Sequence, residues 1–182
     1  MSETVGIAGT GAIACGLAAV VAQRAPVVVW ARSDGSAERA DSKVRRLCEK
    51  VGAHLNGNVR VTCDSRALAR TSFVVEAIVE DPQAKATLVA DLGSRLADDA
   101  ILATTTSSLS IARIAGRAER PERIAGMHFF NPVDRMPLVE VIRGERTSPE
   151  AVAAIYALAR SLGKTPVVVA DRPGDRKSTR LN

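Results

Sequence analysis

Aromatic side chains are scarce: Phe, Tyr and Trp together make up 3% of the 182 residues. A core must therefore be assembled from Val, Ile, Leu and Ala, which suits a parallel sheet covered by helices. Cysteine is nearly absent too. Cys15, Cys48 and Cys63 are odd in number, widely spaced and without a CxxC pair, which argues against a disulfide framework or a zinc site. They read as buried free thiols of a reducing compartment. No basic start leads into an apolar stretch and a cleavage site, and no apolar run reaches the length of a bilayer span. These absences predict a cytoplasmic chain with no membrane partner and no metal. A basic pattern interleaved with aromatics is also missing. The net charge is +5 and the pI about 9.6, but the Lys and Arg residues are scattered. That favours a mildly basic enzyme with a phosphate-rich ligand over a nucleic-acid binder.

What is present is alternation. Short apolar runs at Val5–Ala8, Val27–Trp30, Val59–Thr62, Phe73–Ala77, Ile101–Thr104, Ile124–Phe129, Leu138–Ile142 and Pro166–Ala170 read as strands. Between them, helices are predicted from Ala12 to Arg24, Ser36 to about Leu55, Asp81 to about Leu96, around Ile111–Ala115, and from Ser148 to Leu162. Asp81-Pro82 and Ser148-Pro149 are acceptor caps followed by Pro at the first helical position. Asn56-Gly57-Asn58 reads as a turn. The expected fold class is α/β: a Rossmann-like, doubly wound, mostly parallel sheet.

The first strand runs into Gly9-Thr10-Gly11-Ala12-Ile13-Ala14, a GxGxxA variant. Gly9 permits the tight turn, Gly11 lets backbone approach a pyrophosphate, and Ala14 is small enough for helix and strand to pack. The strand before the motif and the helix after it supply the context that a dinucleotide site requires. The acidic residue that bonds a ribose 2′-hydroxyl at the end of the second strand is missing. Trp30-Ala31-Arg32-Ser33 stands there, with Ala31 at the acidic position. Without that carboxylate a 2′-phosphate is not repelled, and Arg32 and Ser33 offer it charge and a hydroxyl. The competing reading has Arg32 stacked on adenine or facing solvent. The cofactor expected is NAD or NADP.

Further along, His128 sits at a strand end, and Glu140 follows twelve residues later on the next strand. A histidine of near-neutral pKa suits proton removal from an alcohol, and a carboxylate on a neighbouring strand fixes its tautomer. Spacing alone leaves a structural histidine equally open.

The segments Val74–Glu80, Thr106–Ser110, Arg120–Pro132 and Leu138–Gly144 resemble the 3-hydroxyacyl-CoA dehydrogenase family, in order, over about Thr4 to Gly174. The His128-Phe129-Phe130-Asn131-Pro132 stretch is the most specific part. The resemblance implies oxidation of 3-hydroxyacyl-CoA to 3-ketoacyl-CoA in fatty acid metabolism, with an acyl-CoA-type substrate. It implies His128 as base, Glu140 as its orienting partner, Ser107 bonding the substrate 3-oxygen and Asn131 organising the site. Glu80 and Lys85 would lie by the cofactor; as residue types at that spacing they read equally as a helix-surface pair.

Thr105 stands where the family has Asn, and the stretch from Ser36 to Asn58 is shorter than the family's usual insertion. Residues 1–174 are expected to form the dinucleotide-binding domain. Residues 175–182 read as a disordered tail unrelated to the family, in place of the all-α second domain that forms the family's homodimer interface. The resemblance thus implies a truncated form that turns over poorly and exposes an apolar patch. The alternatives are a related β-hydroxyacid dehydrogenase, or a cofactor-binding module inactive without a partner domain.

Overall fold

The computed structural model describes residues 4–53 and 58–171. Eight strands form one sheet: β1 (Val5–Ala8), β2 (Val27–Trp30), β3 (Val59–Thr62), β4 (Phe73–Glu76), β5 (Ile101–Thr104), β6 (Ile124–Phe129), β7 (Leu138–Arg143) and β8 (Thr165–Ala170). Their spatial order is β3-β2-β1-β4-β5-β6-β7-β8. Every neighbouring pair is parallel except β6 with β7. The chain leaves β1 towards β2 on one side and returns to β4 on the other. The carboxyl ends of β1 and β4 therefore diverge into a crevice at the topological switch point, where α/β sheets bind ligands.

Alternation along the central strands supplies two cores. Ile7, Val75, Ala103 and Ala125 face α1 (Ala12–Ala22), α2 (Asp34–Val51) and α5 (Pro149–Ser161). Ala8, Val74, Leu102 and Ile124 face α3 (Pro82–Gly93) and α4 (Ile111–Ala115). A strand covered on both faces must be apolar throughout, and β1 and β5 are buried at every residue. In α1 every residue from Ala14 to Ala22 is buried. Its run of Ala, Gly and Cys keeps it thin enough to lie flush on the sheet. Ala14 packs there, as the motif requires.

The expected caps form. Asp81 Oδ1 accepts from Ala84 N–H at 2.7 Å, and Ser148 Oγ from Ala151 N–H at 3.1 Å. Some boundaries differ from the pattern. Helix α2 starts at Asp34 rather than Ser36, because Ser33 and Ser36 form a reciprocal cap two residues earlier. It ends at Gly52, which takes the left-handed cap (φ +67°). Helix α3 stops at Gly93, before Leu96. A 3-10 turn at Ser65–Arg70 had no hydrophobic period to announce it. Asn56, Gly57 and the 175–182 tail lie outside the described residues. Cys15 and Cys48 are buried as expected, but Cys63 is exposed: it follows β3 and lies outside the core.

The sole antiparallel pairing depends on close strand contact. A Cβ on Gly126 of β6 would lie 2.7 Å from Ile142 Cβ on β7. Gly126→Ala is expected to destabilise the chain by about 1–3 kcal/mol, the range for overpacking a tight core. Urea unfolding is the check, and an unchanged midpoint would mean that β7 yields freely.

Candidate active site

A cleft of about 810 Å3 opens over the carboxyl ends of β1, β4, β5 and β6. Gly9, Gly11, Arg32, Ser33, Glu80, Ser107, His128 and Asn131 all line it. Four other expected site residues do not. Ala14 is in the core, Glu140 lies behind His128, and Ala31 and Lys85 are buried beneath the floor.

The floor begins with Gly9. Its φ is +135°, and a Cβ there would stand 2.3 Å from the Ala77 carbonyl oxygen. Only glycine fits both the conformation and the space. Gly11 has ordinary dihedrals, and a Cβ there would meet nothing within 4 Å. Its lack of a side chain keeps the N-terminus of α1 open from above. Free N–H groups and the positive end of the helix dipole are thereby presented to the cleft, a cradle that suits a pyrophosphate.

Ala31, expected at the cofactor, does not line the cleft. It is 1% exposed, and its N–H donates to the Thr62 carbonyl at 2.9 Å. The strand pairing of β2 with β3 turns it inward, so the exposed residues at this corner are Arg32 and Ser33.

Lys85 also differs from expectation. It is fully buried, not on the surface, and does not line the cleft. Its Nζ donates to Glu76 Oε1 at 2.8 Å and stands 3.5 Å from Glu80 Oε2. Glu76, also fully buried, accepts from Ile78 N–H (2.7 Å) through the same oxygen and from Thr104 Oγ1 (2.6 Å) through the other. A buried carboxylate with this many donors meets the condition under which burial of an ion pair is tolerated. Glu76 carried no assigned role in the sequence, because a lone Glu ending an apolar strand has no distinguishing pattern.

Glu80 continues the network upward. Its Oε1 accepts from Thr106 Oγ1 (2.6 Å), Ser107 N–H (2.8 Å) and Ser108 N–H (3.1 Å). Partial burial pushes this carboxyl up. The hydrogen bonds from Thr106, Ser107 and Ser108, with the charge of Lys85, outweigh it and hold the group below the ordinary carboxylate value. Glu80 thus ties the Thr106–Ser108 segment to the start of α3, which fixes Ser107 in the cleft wall.

On the opposite wall, the antiparallel register sets His128 directly across from Glu140. His128 Nδ1 and Glu140 Oε2 are 2.8 Å apart, and Glu140 is buried. The imidazole also touches Phe130, with ring centroids 4.8 Å apart. The pairing engages Nδ1 and leaves Nε2 as the nitrogen free for chemistry.

The segment after His128 is fastened at several points. Asn131-Pro132 is a cis peptide. Val133 packs where a Cβ of Gly16 on α1 would be, 3.1 Å away. Asp134 pairs with Lys50 of α2 at 3.0 Å. Lys164, 7% exposed, donates to the Val133 carbonyl and, at 2.9 Å, to that of Met136. Burial lowers the Lys164 pKa. A lone Lys between helix and strand carries no sequence pattern that marks it. Trp30, Ser36, Arg39 and Thr105 also line the cleft. Of these, Ser36 and Arg39 follow Ser33 at helical spacing.

Two outcomes are expected. Lys85→Met leaves Glu76 buried without its cation and costs about 3–5 kcal/mol by chemical denaturation; a loss below 1 kcal/mol would show that the pair is not needed. Glu80 contributes stability that is complete above the ordinary glutamate value of 4.5 and disappears as pH falls through its lower folded value. The melting-temperature gap between the wild type and Glu80→Gln should therefore be steady near neutrality and close in acid. A gap that persists through the acid range would refute the tether.

The family model for the 3-hydroxyacyl-CoA dehydrogenase NAD binding domain matches residues 4–172. The fatty acid oxidation complex subunit alpha of Psychrobacter arcticus is 50% identical over 125 residues, which are 69% of this chain and 17% of that protein. The chain therefore spans about a sixth of the length of the curated relatives it matches. The crystal structure of (S)-3-hydroxybutyryl-CoA dehydrogenase from Ralstonia eutropha superposes with a TM-score of 0.87 at 34% identity, over 96% of this chain and 65% of that one. An NAD+-dependent 5-formyl-3-hydroxy-2-methylpyridine 4-carboxylic acid 5-dehydrogenase gives the same score and identity, over 96% and 60%. The chain belongs to the 3-hydroxyacyl-CoA dehydrogenase family, of which it carries the NAD-binding domain.

Proposed function

We propose that this chain supplies the dinucleotide site and the acid–base pair for reversible oxidation of a 3-hydroxyacyl-CoA to a 3-ketoacyl-CoA. The observation that carries the reading is the His128–Glu140 pair, held at 2.8 Å across two strands in the wall of a cleft whose floor is the Gly9–Gly11 turn. A nicotinamide dinucleotide, when bound, supplies the hydride acceptor. Gly11 and the α1 N-terminus would hold its pyrophosphate.

The chain's own residues handle the substrate. Ser107 and Asn131, both lining the cleft, would donate to or accept from the reacting oxygen. Nε2 of His128 takes the hydroxyl proton as the C3 hydride departs. Glu140 holds Nδ1 and offsets the charge that forms on the ring. In the reverse direction the same nitrogen returns the proton. Charge therefore develops on a group already paired, and little reorganisation accompanies the step.

The relatives support a CoA thioester as substrate. Two of them are a fatty acid oxidation subunit and a 3-hydroxybutyryl-CoA dehydrogenase. A second reading, an acid without CoA, is favoured by the equally similar pyridine carboxylic acid dehydrogenase. As the chain spans a sixth of its curated relatives, turnover is to be compared between it and a longer chain carrying the family's second domain.

His128→Gln should lower the rate of cofactor oxidation with acetoacetyl-CoA by at least about a hundredfold, the span of general acid–base catalysis. Fluorescence titration should show reduced-cofactor binding unchanged. Full activity of the variant would remove His128 from the chemistry. Loss of cofactor binding along with activity would make it a structural residue.

A further inference from the structure

Resting on the reading of the cleft as a nicotinamide-dinucleotide site, we infer that its adenosine end is built for a 2′-phosphate, so that the chain takes NADPH in preference to NADH. The end of β2 is where an acidic side chain would bond the ribose hydroxyls and repel a phosphate there. Ala31 occupies that position. It is 1% exposed and its N–H is engaged by Thr62. Nothing anionic from β2 reaches the corner.

Two cations do reach it. Arg32 and Arg39 both line the cleft, and neither guanidinium has a carboxylate partner among the described residues. Arg32 follows the strand end. Arg39 lies one turn into α2 and folds back: its Nη1 sits 3.4 Å from where a Gly35 side chain would be. Arg39 is thereby brought over the first turn of an 18-residue helix whose start lines the same cleft as Arg32.

Hydroxyls complete the corner. Ser36 Oγ accepts from Ser33 N–H at 3.1 Å and donates to the Ser33 carbonyl at 2.8 Å. Ser33 Oγ stands 3.1 Å from Ser36 Oγ, and both serines line the cleft. The nearest acidic residues on the element are Asp34 and Glu38. Neither lines the cleft. Two forked guanidinia lining one corner of the cleft without carboxylate partners match a phosphate dianion; a ribose hydroxyl would leave both charges unused.

The test compares NADPH with NADH, which differ by that phosphate alone, in fluorescence titrations of the full chain. NADPH is expected to bind at least about tenfold tighter. Arg32→Ala and Arg39→Ala should each weaken NADPH by about tenfold and leave NADH within about twofold. Both side chains are surface groups, and retained NADH binding reports that the variants fold. NADH binding as tightly as NADPH would overturn the inference and leave the proposed function standing. So would an equal loss of both cofactors in Arg32→Ala, the signature of a guanidinium stacked on adenine. If the wild-type chain binds neither, the dinucleotide reading itself falls, and this inference with it.

Discussion

A carboxylate with no exposure to water stands under the cleft, and the geometry above depends on its being satisfied. Glu76 ends β4 at the switch point and binds Lys85, Thr104 and the backbone of Ile78. Each partner belongs to a different part: Thr104 to β5, Lys85 to α3, Ile78 to the turn between β4 and α3. A buried charge missing one partner costs several kcal/mol, so these elements move together or not at all. Lys85 then stands near Glu80, and Glu80 gathers the backbone of Ser107 and Ser108. The wall that presents Ser107 is therefore anchored, through two carboxylates and one ammonium, to the middle of the sheet.

The opposite wall is made differently. His128 and Glu140 rely on strand register, and the segment beyond them relies on packing and charge. Val133 nests against Gly16, Asp134 meets Lys50, and Lys164 donates to the carbonyls of Val133 and Met136. All three ties run to elements of the dinucleotide half or its neighbours: α1, α2 and the junction of α5 with β8. The half that carries His128 and Glu140 is thus referenced to the helix that would hold the pyrophosphate. Reacting groups need placement to within fractions of an ångström, and this arrangement provides it without relying on one long loop.

Much of this was legible in the sequence. The strands, the capped starts of α3 and α5, the GxGxxA turn and the spacing of His128 from Glu140 all follow local rules of period and capping. What was not legible is tertiary. Lys85 lies four residues after an Asp-Pro cap, where lysines usually face water; only the fold shows that its side chain points down to Glu76. Ala31 follows β2 directly, where an acidic residue would stand, yet strand pairing with β3 turns it inward. Arg39 belongs to the cleft because α2 begins at Asp34 and brings its guanidinium back over the first turn. The sequence shows the residue types, while direction comes from the packing of one element on another.

Among the pairings of this sheet, β6 with β7 alone is antiparallel, and it sets Gly126, Met127, His128 and Phe129 against Ile142, Val141, Glu140 and Val139. Side chains alternate between faces along each strand. Inserting one residue within either strand would turn Glu140 or His128 to the other side of the sheet, and no rotamer could bring it back. Descendants of this sequence should accordingly hold the two arms of that hairpin fixed, residue for residue, and keep the connection as well, because it carries Asn131 and the ties of Val133, Asp134 and Met136.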